Sequence, residues 1–380
     1  MDQSKPIHVL HVLKNTEVGG VESWLLHVAR HRNAARFPMD LLVRSDVRSP
    51  LDAEFEALGM RVLYCPYDDG PAAFGRRFRQ IVEENGPYDV IHCHSLFNFG
   101  YVLRLARRLK IPVRLGHAHN ARNFEPSPLR RFRVAVRVAL FDRWWTGGLA
   151  CSRLAAREIF GDRWETNNRV GVLYCGVDMA PFEAPPDPCA RRELGIPDDA
   201  WVIGHVGRFS LQKNHPLIVE AAAEAMRRDP SIWTLLVGTG DTMDATVARV
   251  RAMDVGSRFV FAGFRRDIPR LLVSAMDVFL MPSLWEGLSL VSMEAQAAGL
   301  RILTSDAVSP EADAAPGMVE RVSLAAPPSA WADRLLEWKS SPPSLSRAEA
   351  LRIMRQSPFN IDNSVSALER WYAEALKGAR

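Results

Sequence analysis

Short β-branched runs alternating with helix-length amphipathic stretches constrain the fold of this chain more than any other feature. IHVLHVL (7–13) leads into GGVESWLLHVARH, and MDLLVRS (39–45) and RVLYC (61–65) are each followed by a helical stretch. DVIHCH (89–94), IPVRLGH (111–117) and GGLACS (147–152) keep the rhythm. Each return to a parallel strand requires a crossover that a helix supplies, so the pattern predicts an α/β architecture with a parallel sheet covered on both faces. The rhythm breaks at APFEAPPDPCARRELGIPDDA (180–200), which carries Pro181, Pro185, Pro186, Pro188 and Pro197. It resumes with WVIGHVG (201–207), WTLLVG (233–238), RFVFAG (258–263), MDVFLMP (276–282) and RILTS (301–305). Two doubly wound Rossmann-like domains facing each other across a cleft are expected, over 1–182 and 183–358, joined by the proline-rich run as a linker. After Pro358, Val365, Leu368, Trp371, Tyr372 and Leu376 recur at helical spacing. A final helix over about 360–380 is therefore expected to pack back toward the first domain.

At 380 residues, 47% of them hydrophobic, the chain is long enough to bury two cores. The apolar run near Met1 is too short for a secretory signal, and no uninterrupted apolar stretch reaches the roughly 18 residues of a membrane span, so a cytoplasmic location is expected. Cys65, Cys93, Cys151, Cys175 and Cys189 form no CxxC pair and read as buried free thiols. Net charge is only +4, but Arg104, Arg107, Arg108, Lys110, Arg114, Arg122, Arg130, Arg131, Arg133, Arg137 and Arg143 crowd one stretch against Glu125 and Asp142. Such a surface suits a partner with phosphates. Aromatic residues do not interleave it as in a base-stacking platform, so nucleic acid is not expected. PLRRFRVAVRVALFDRWW (128–145) fits a helix lying on the inner face of a membrane, and equally a crossover helix with solvated arginines. Cosedimentation with anionic vesicles at low salt separates the two.

In open α/β sheets ligands sit at the carboxyl ends of strands. The first such junction holds Gly19 and Gly20 before a helix, a turn that allows close approach of an anion but is also a plain glycine turn. In the second half, GHVGRFSLQKNHP (204–216) offers Arg208 and Lys213 around a helix start, a pair suited to a diphosphate. WEGLSLVSMEAQAAG (285–299) follows a buried strand and places Glu286 and Glu294 on either side of a helix mouth. There the amides of Leu288, Ser289 and Leu290, beyond Gly287, suit phosphate. At 1.5 Å per residue Glu294 lies about 7 Å further along the axis, so the two acids serve different groups. His117 and His119 end one strand and His92 and His94 another. Histidines at such positions are often hydrogen-bonded structural residues, and His92 and His94 are read so.

The acid-seven-acid spacing of Glu286 and Glu294, with GRFSLQKN, the early GG-V-E turn, RFVFAGF and the terminal helix, resembles the retaining nucleotide-sugar glycosyltransferases of GT-B type in family 4. The likeness is nearest to exopolysaccharide and capsule sugar transferases, whose pattern HVLKNTEVGGVES, GHAHNAR and GLACSRLAAREIFG also follow. The resemblance implies that Arg208 and Lys213 hold the donor diphosphate. It implies that Glu286 meets the transferred sugar, Glu294 the ribose, and the backbone of Leu288 to Leu290 a phosphate. Gly263, Phe264 and Arg265 would lie beside the base, and His119 near the anomeric centre. Ser289 and Arg301 stand where many relatives have proline. The donor is expected to be a nucleotide-sugar and the acceptor a glycan or lipid-linked sugar. No cofactor and no metal are expected, since no DxD-like cluster adjoins the cleft loops. An epimerase or phosphorylase of the same architecture, transfer to a small-molecule acceptor, and a non-catalytic nucleotide-sugar sensor are the competing readings.

Overall fold

The computed structural model describes residues 5–67, 69–94, 99–119, 136, 143–341 and 343–379. Two compact units emerge, one of residues 1–176 with 361–380 and one of 177–360. The first is built on a seven-stranded sheet of β1 (Val9–Leu13), β2 (Met39–Val43), β3 (Val62–Tyr64), β4 (Val90–Cys93), β5 (Val113–Ala118), β6 (Gly147–Ala150) and β7 (Val170–Val172). Its order is β3-β2-β1-β4-β5-β6-β7, and every described pairing is parallel. β1, β2, β4 and β6 are buried along their whole length, as strands covered on both faces must be.

The second unit has a six-stranded parallel sheet of β8 (Trp201–Val206), β9 (Ile232–Val237), β10 (Phe259–Gly263), β11 (Val278–Met281), β12 (Arg301–Ser305) and β13 (Val319–Val322), in the order β10-β9-β8-β11-β12-β13. In both sheets the first strand lies beside the fourth, so the chain winds outward in opposite directions from that pair. A topological switch point results at β1/β4 and again at β8/β11.

The last helix, Ile361–Gly378, belongs to the first unit. Leu368 and Tyr372 are fully buried, the Trp24 indole donates to Ser364 Oγ at 3.3 Å, and Ser364 Oγ donates to the Tyr174 carbonyl at 2.7 Å. The proline-rich run is not a loose linker. Phe182 is fully buried in the second unit, Arg347 donates to the Phe182 and Ala184 carbonyls, and Arg270 grips Asp187 at 2.6 Å and Glu193 at 2.8 Å. Pro181 lies in the 3-10 turn Ala180–Glu183 and Pro188 just before the helix Ala190–Glu193, and the unit boundaries fall at Gly176/Val177 and Asn360/Ile361.

Most of the basic 128–145 segment, with Arg122, Arg130, Arg131, Arg133 and Arg137, lies outside the described residues. Trp145 is buried and stacks on Phe160 with centroids 5.2 Å apart, while Trp144 lies under the Arg104 guanidinium. A Cβ on Gly148 would come within 2.6 Å of that stacked pair, which is why β6 carries glycine there. Four cysteines are buried as expected, but Cys189 is exposed. Among the described residues no helix is long and apolar enough to cross a membrane.

Candidate active site

At the β8/β11 switch point of the second unit, the loop after β8 bends through a 3-10 turn, Leu211–Lys213, into the helix His215–Arg228. Asn214 makes the bend in the left-handed region (φ 56°), which asparagine tolerates better than most residues, and its amide donates to the Pro282 carbonyl at 3.2 Å. The loop after β11 is stitched to it. Leu284 N donates to the Gln212 carbonyl at 2.8 Å, and Gln212 Nε2 donates to the Trp285 carbonyl at 2.9 Å and to Glu286 Oε2 at 3.2 Å.

This stitching brings Lys213 Nζ within 2.7 Å of Glu286 Oε1, with side-chain exposures of only 14% and 9%. Lys213 and Glu286, expected to make separate ligand contacts, thus form one buried ion pair. Its charges compensate each other until a ligand offers either of them something better. Gly207 lies under the stem of Lys213, where a Cβ would fall 3.2 Å from Lys213 Cε. Arg208 is exposed.

The helix after the β11 loop runs Leu290–Ala297. Ser289 is its N-cap, accepting from Ser292 N at 3.3 Å, so the residue found where many relatives have proline does the capping. Arg301, the other departure, lies over the Trp338 ring at 4.8 Å. Glu286 to Ser289 form one wall of a hollow whose other walls include Thr304, Ser309, Glu311 and Arg321. These wall residues, and Gln212, escaped the sequence reading. Gln212 lies inside the quoted GRFSLQKN, but nothing local marks it as the tie between two loops.

Glu294 is half-buried one turn into the helix, and burial raises its carboxyl from 4.5 to about 7. The sign follows from linkage. Below pH 4.5 the group is protonated folded or unfolded and costs nothing, and as pH rises toward 7 only the unfolded chain ionises freely, so stability falls. Glu294→Gln is therefore expected to match the parent near pH 4.5 and to be more stable at pH 8, by on the order of 2 kcal/mol given the partial solvation. Urea melts across that range check it, and equal stability of the two proteins at pH 8 would refute it.

β10 ends at Gly263 with φ 63°, and the loop after it carries Phe264, 47% exposed. Arg265 is committed to Asp267 by two bonds of 2.8 and 2.7 Å, so within this loop the exposed aromatic face is on the phenylalanine.

Gly19, Gly20 and His119 belong to the first unit. Gly19 caps the helix Gly20–His31 with an extended backbone and no side-chain bond, and a Cβ on Gly20 would meet nothing within 4 Å. The fold therefore does not demand glycine at position 20 on packing grounds. His119 ends a buried array. His11, His92, His94, His117 and His119 project from β1, β4 and β5, or from just beyond them, in two hydrogen-bonded chains. One runs Tyr372 hydroxyl to His92 (2.6 Å) to His117 (3.1 Å). The other runs His11 to His94 (2.9 Å) to His119 (2.8 Å), with Cys175 Sγ 3.7 Å from His119 Nδ1. Burial drives these imidazoles to the neutral form, His11 and His119 down to about 3 and the other three well below their ordinary range. His92 and His94 are hydrogen-bonded inside the unit, as their strand-end positions suggested.

Residues 188–352 match the family described as Glycosyl transferases group 1, and residues 18–180 match Glycosyltransferase Family 4. The chain is 34% identical over 335 residues to the protein named as glycosyltransferase EpsF of Bacillus subtilis, covering 86% of each. It is 30% identical over 226 residues, 58% of each chain, to the UDP-Gal:alpha-D-GlcNAc-diphosphoundecaprenol alpha-1,3-galactosyltransferase of Escherichia coli. The fold matches that of Anabaena HepE, solved in complex with UDP and glucose, with a TM-score of 0.79 and 19% identity over 97% of this chain and 100% of that one. With two switch-point sheets of one strand order and a relative this similar over most of its length, the chain belongs to the group 1, family 4 glycosyltransferases of GT-B fold.

Proposed function

We propose that this enzyme is a retaining hexosyltransferase. In this reading it moves a sugar from a UDP-sugar to a glycan or lipid-linked acceptor in cell-surface polysaccharide synthesis, in the cytoplasm, meeting the membrane weakly through the basic 128–145 stretch. The observation that carries the reading is the Lys213–Glu286 pair, a buried cation and anion held together beside the mouth of the helix Leu290–Ala297. The name of the Escherichia relative supports a UDP-sugar donor and a lipid-linked acceptor, and UDP in the HepE complex supports the base.

In the proposed reaction Arg208 and Lys213 meet the diphosphate, with the backbone from Gly287 to Leu290. Glu286 takes hydroxyls of the transferred sugar and Glu294 those of the ribose. Phe264 offers its face to the base beside Gly263 and Arg265. Gly19, Gly20 and His119 are the first unit's candidates for the donor. The bond from the anomeric carbon to the diphosphate oxygen breaks with its electron pair going to the diphosphate, where fixed positive charge and helix amides stabilise it. The acceptor oxygen bonds the same carbon from the vacated face and its proton passes to the departing phosphate oxygen, so configuration is retained.

Incubation of the purified protein with a panel of UDP-, GDP- and ADP-sugars tests this. Slow release of UDP from one sugar is expected, at a rate unchanged by EDTA, with the released hexose first appearing in the donor's anomeric configuration by NMR. Inverted product, or an epimerised donor with no transfer, would refute it.

A further inference from the structure

Half of the chain's ten histidines are gathered in the first unit's array, His11, His92 and His117 at buried strand positions that a parallel sheet normally fills with valine, isoleucine or leucine, and His94 and His119 just beyond the strand ends. Among the described residues the array has no carboxylate as a hydrogen-bonding partner, and its place is the carboxyl-end side of β4 and β5, next to the switch point. His94, His117 and His119 each offer a ring nitrogen, all three within 4.8 Å of one another.

The remaining contacts of these rings follow a pattern. His94 Nε2 faces His11 Nδ1 at 2.9 Å, His117 Nδ1 faces His92 Nε2 at 3.1 Å, and His119 Nδ1 faces Cys175 Sγ at 3.7 Å. One tautomer set lets each of those outer nitrogens donate its N–H to that partner, which leaves the lone pairs of His94 Nδ1, His117 Nε2 and His119 Nε2 for a common ligand. Among the described residues His117 Nε2 is buried without a partner, a cost that a ligand would remove. Three neutral imidazoles, each with its other nitrogen held by an outer partner, are the donor set and support of a four-coordinate site for a late first-row divalent cation, the fourth position being left to water.

The structure assigns a transition-metal site of the zinc and cobalt class to His94, His117 and His119. Binding draws the three nitrogens, now within 4.8 Å of one another, to one common spacing. His94 Nδ1 and His119 Nε2 are 2.8 Å apart, and tetrahedral bonds of about 2.05 Å would separate them to roughly 3.3 Å. With His119 9% exposed and His94 8% exposed, the ion enters from that rim. The site stands on the first unit's geometry alone; with an ion bound both ring nitrogens of His119 are engaged, so the ion and the donor contact proposed for His119 exclude each other.

The test is direct binding to the full-length, tag-free chain after chelator stripping, titrated with Co2+ alone. One Co2+ per chain is expected, with the visible absorption of four-coordinate cobalt and displacement by an equivalent of Zn2+. His94→Gln and His117→Gln, each shown folded by circular dichroism and melting, are expected to weaken uptake at least about a hundredfold, while His31→Gln leaves it unchanged. Should one variant fail to fold, the parent titration and the other variant decide. No saturable uptake by the parent, or uptake that survives both substitutions, overturns the assignment.

Discussion

Replacing Lys213 by alanine is expected to lower the turnover of sugar transfer by about three orders of magnitude, the upper end of what a single preorganised positive or hydrogen-bonding group supplies to a leaving oxyanion. The ammonium is held at 2.7 Å by Glu286, whose other oxygen takes Gln212, so the lysine is pinned before any ligand arrives and needs no reorganisation as charge develops on the diphosphate. The substitution also leaves Glu286 buried without its cation, a loss of about 3–5 kcal/mol in comparable pairs. Stability and chemistry must therefore be read separately. Initial rates at saturating donor, with a thermal melt of the same sample, do so, and Lys213→Ala/Glu286→Gln removes the stranded charge. The double variant is expected to recover stability without recovering turnover. A variant well folded and within tenfold of parental turnover would end the assignment of Lys213 to the leaving group.

Deleting residues 361–380 is expected to unfold the first unit. The helix Ile361–Gly378 buries Ile361, Val365, Leu368, Tyr372 and Leu376. At roughly 1.5–3 kcal/mol for each side chain the loss is on the order of 10 kcal/mol, comparable to the whole stability of a domain of this size. The helix also closes buried hydrogen bonds of the first unit. The Trp24 indole would lose Ser364 and His92 Nδ1 would lose the Tyr372 hydroxyl at the base of the histidine array. Limited proteolysis of the shortened chain should digest residues before about 176 while sparing a fragment spanning 177–360, whose own core does not include the helix. A shortened chain with its first unit still protected would show the helix to be an accessory. Tyr372→Phe is the milder control, removing one buried hydroxyl at a cost of about 1–3 kcal/mol.

The strands, their parallel pairing and the helix after Pro358 were legible because they rest on side-chain periodicity, a property of neighbours in sequence. Lys213 and Glu286 could be singled out one at a time for the same reason, since each stands beside a strand end and a helix start. That they form a single pair was not legible. They are 73 positions apart and meet only because β8 lies next to β11.

The histidines show the same division more sharply. His92 and His94 could be read as hydrogen-bonded residues from their strand, but the array joins them to His11, 81 and 83 positions earlier, and to His117 and His119, each 25 positions beyond its partner. Likewise Pro181 to Pro197 read as a linker, because Arg347, which fastens the Phe182 carbonyl, is 165 positions away in the chain.

By itself the sequence determined which segments become strands and helices and which side chains stand at their ends, for these depend on local backbone preference and on burying one face. Only the tertiary structure decided which of those ends adjoin. Strand order and register are set by packing between distant segments, and a lysine, a carboxylate or an imidazole acquires its partner, its burial and hence its chemistry from that packing.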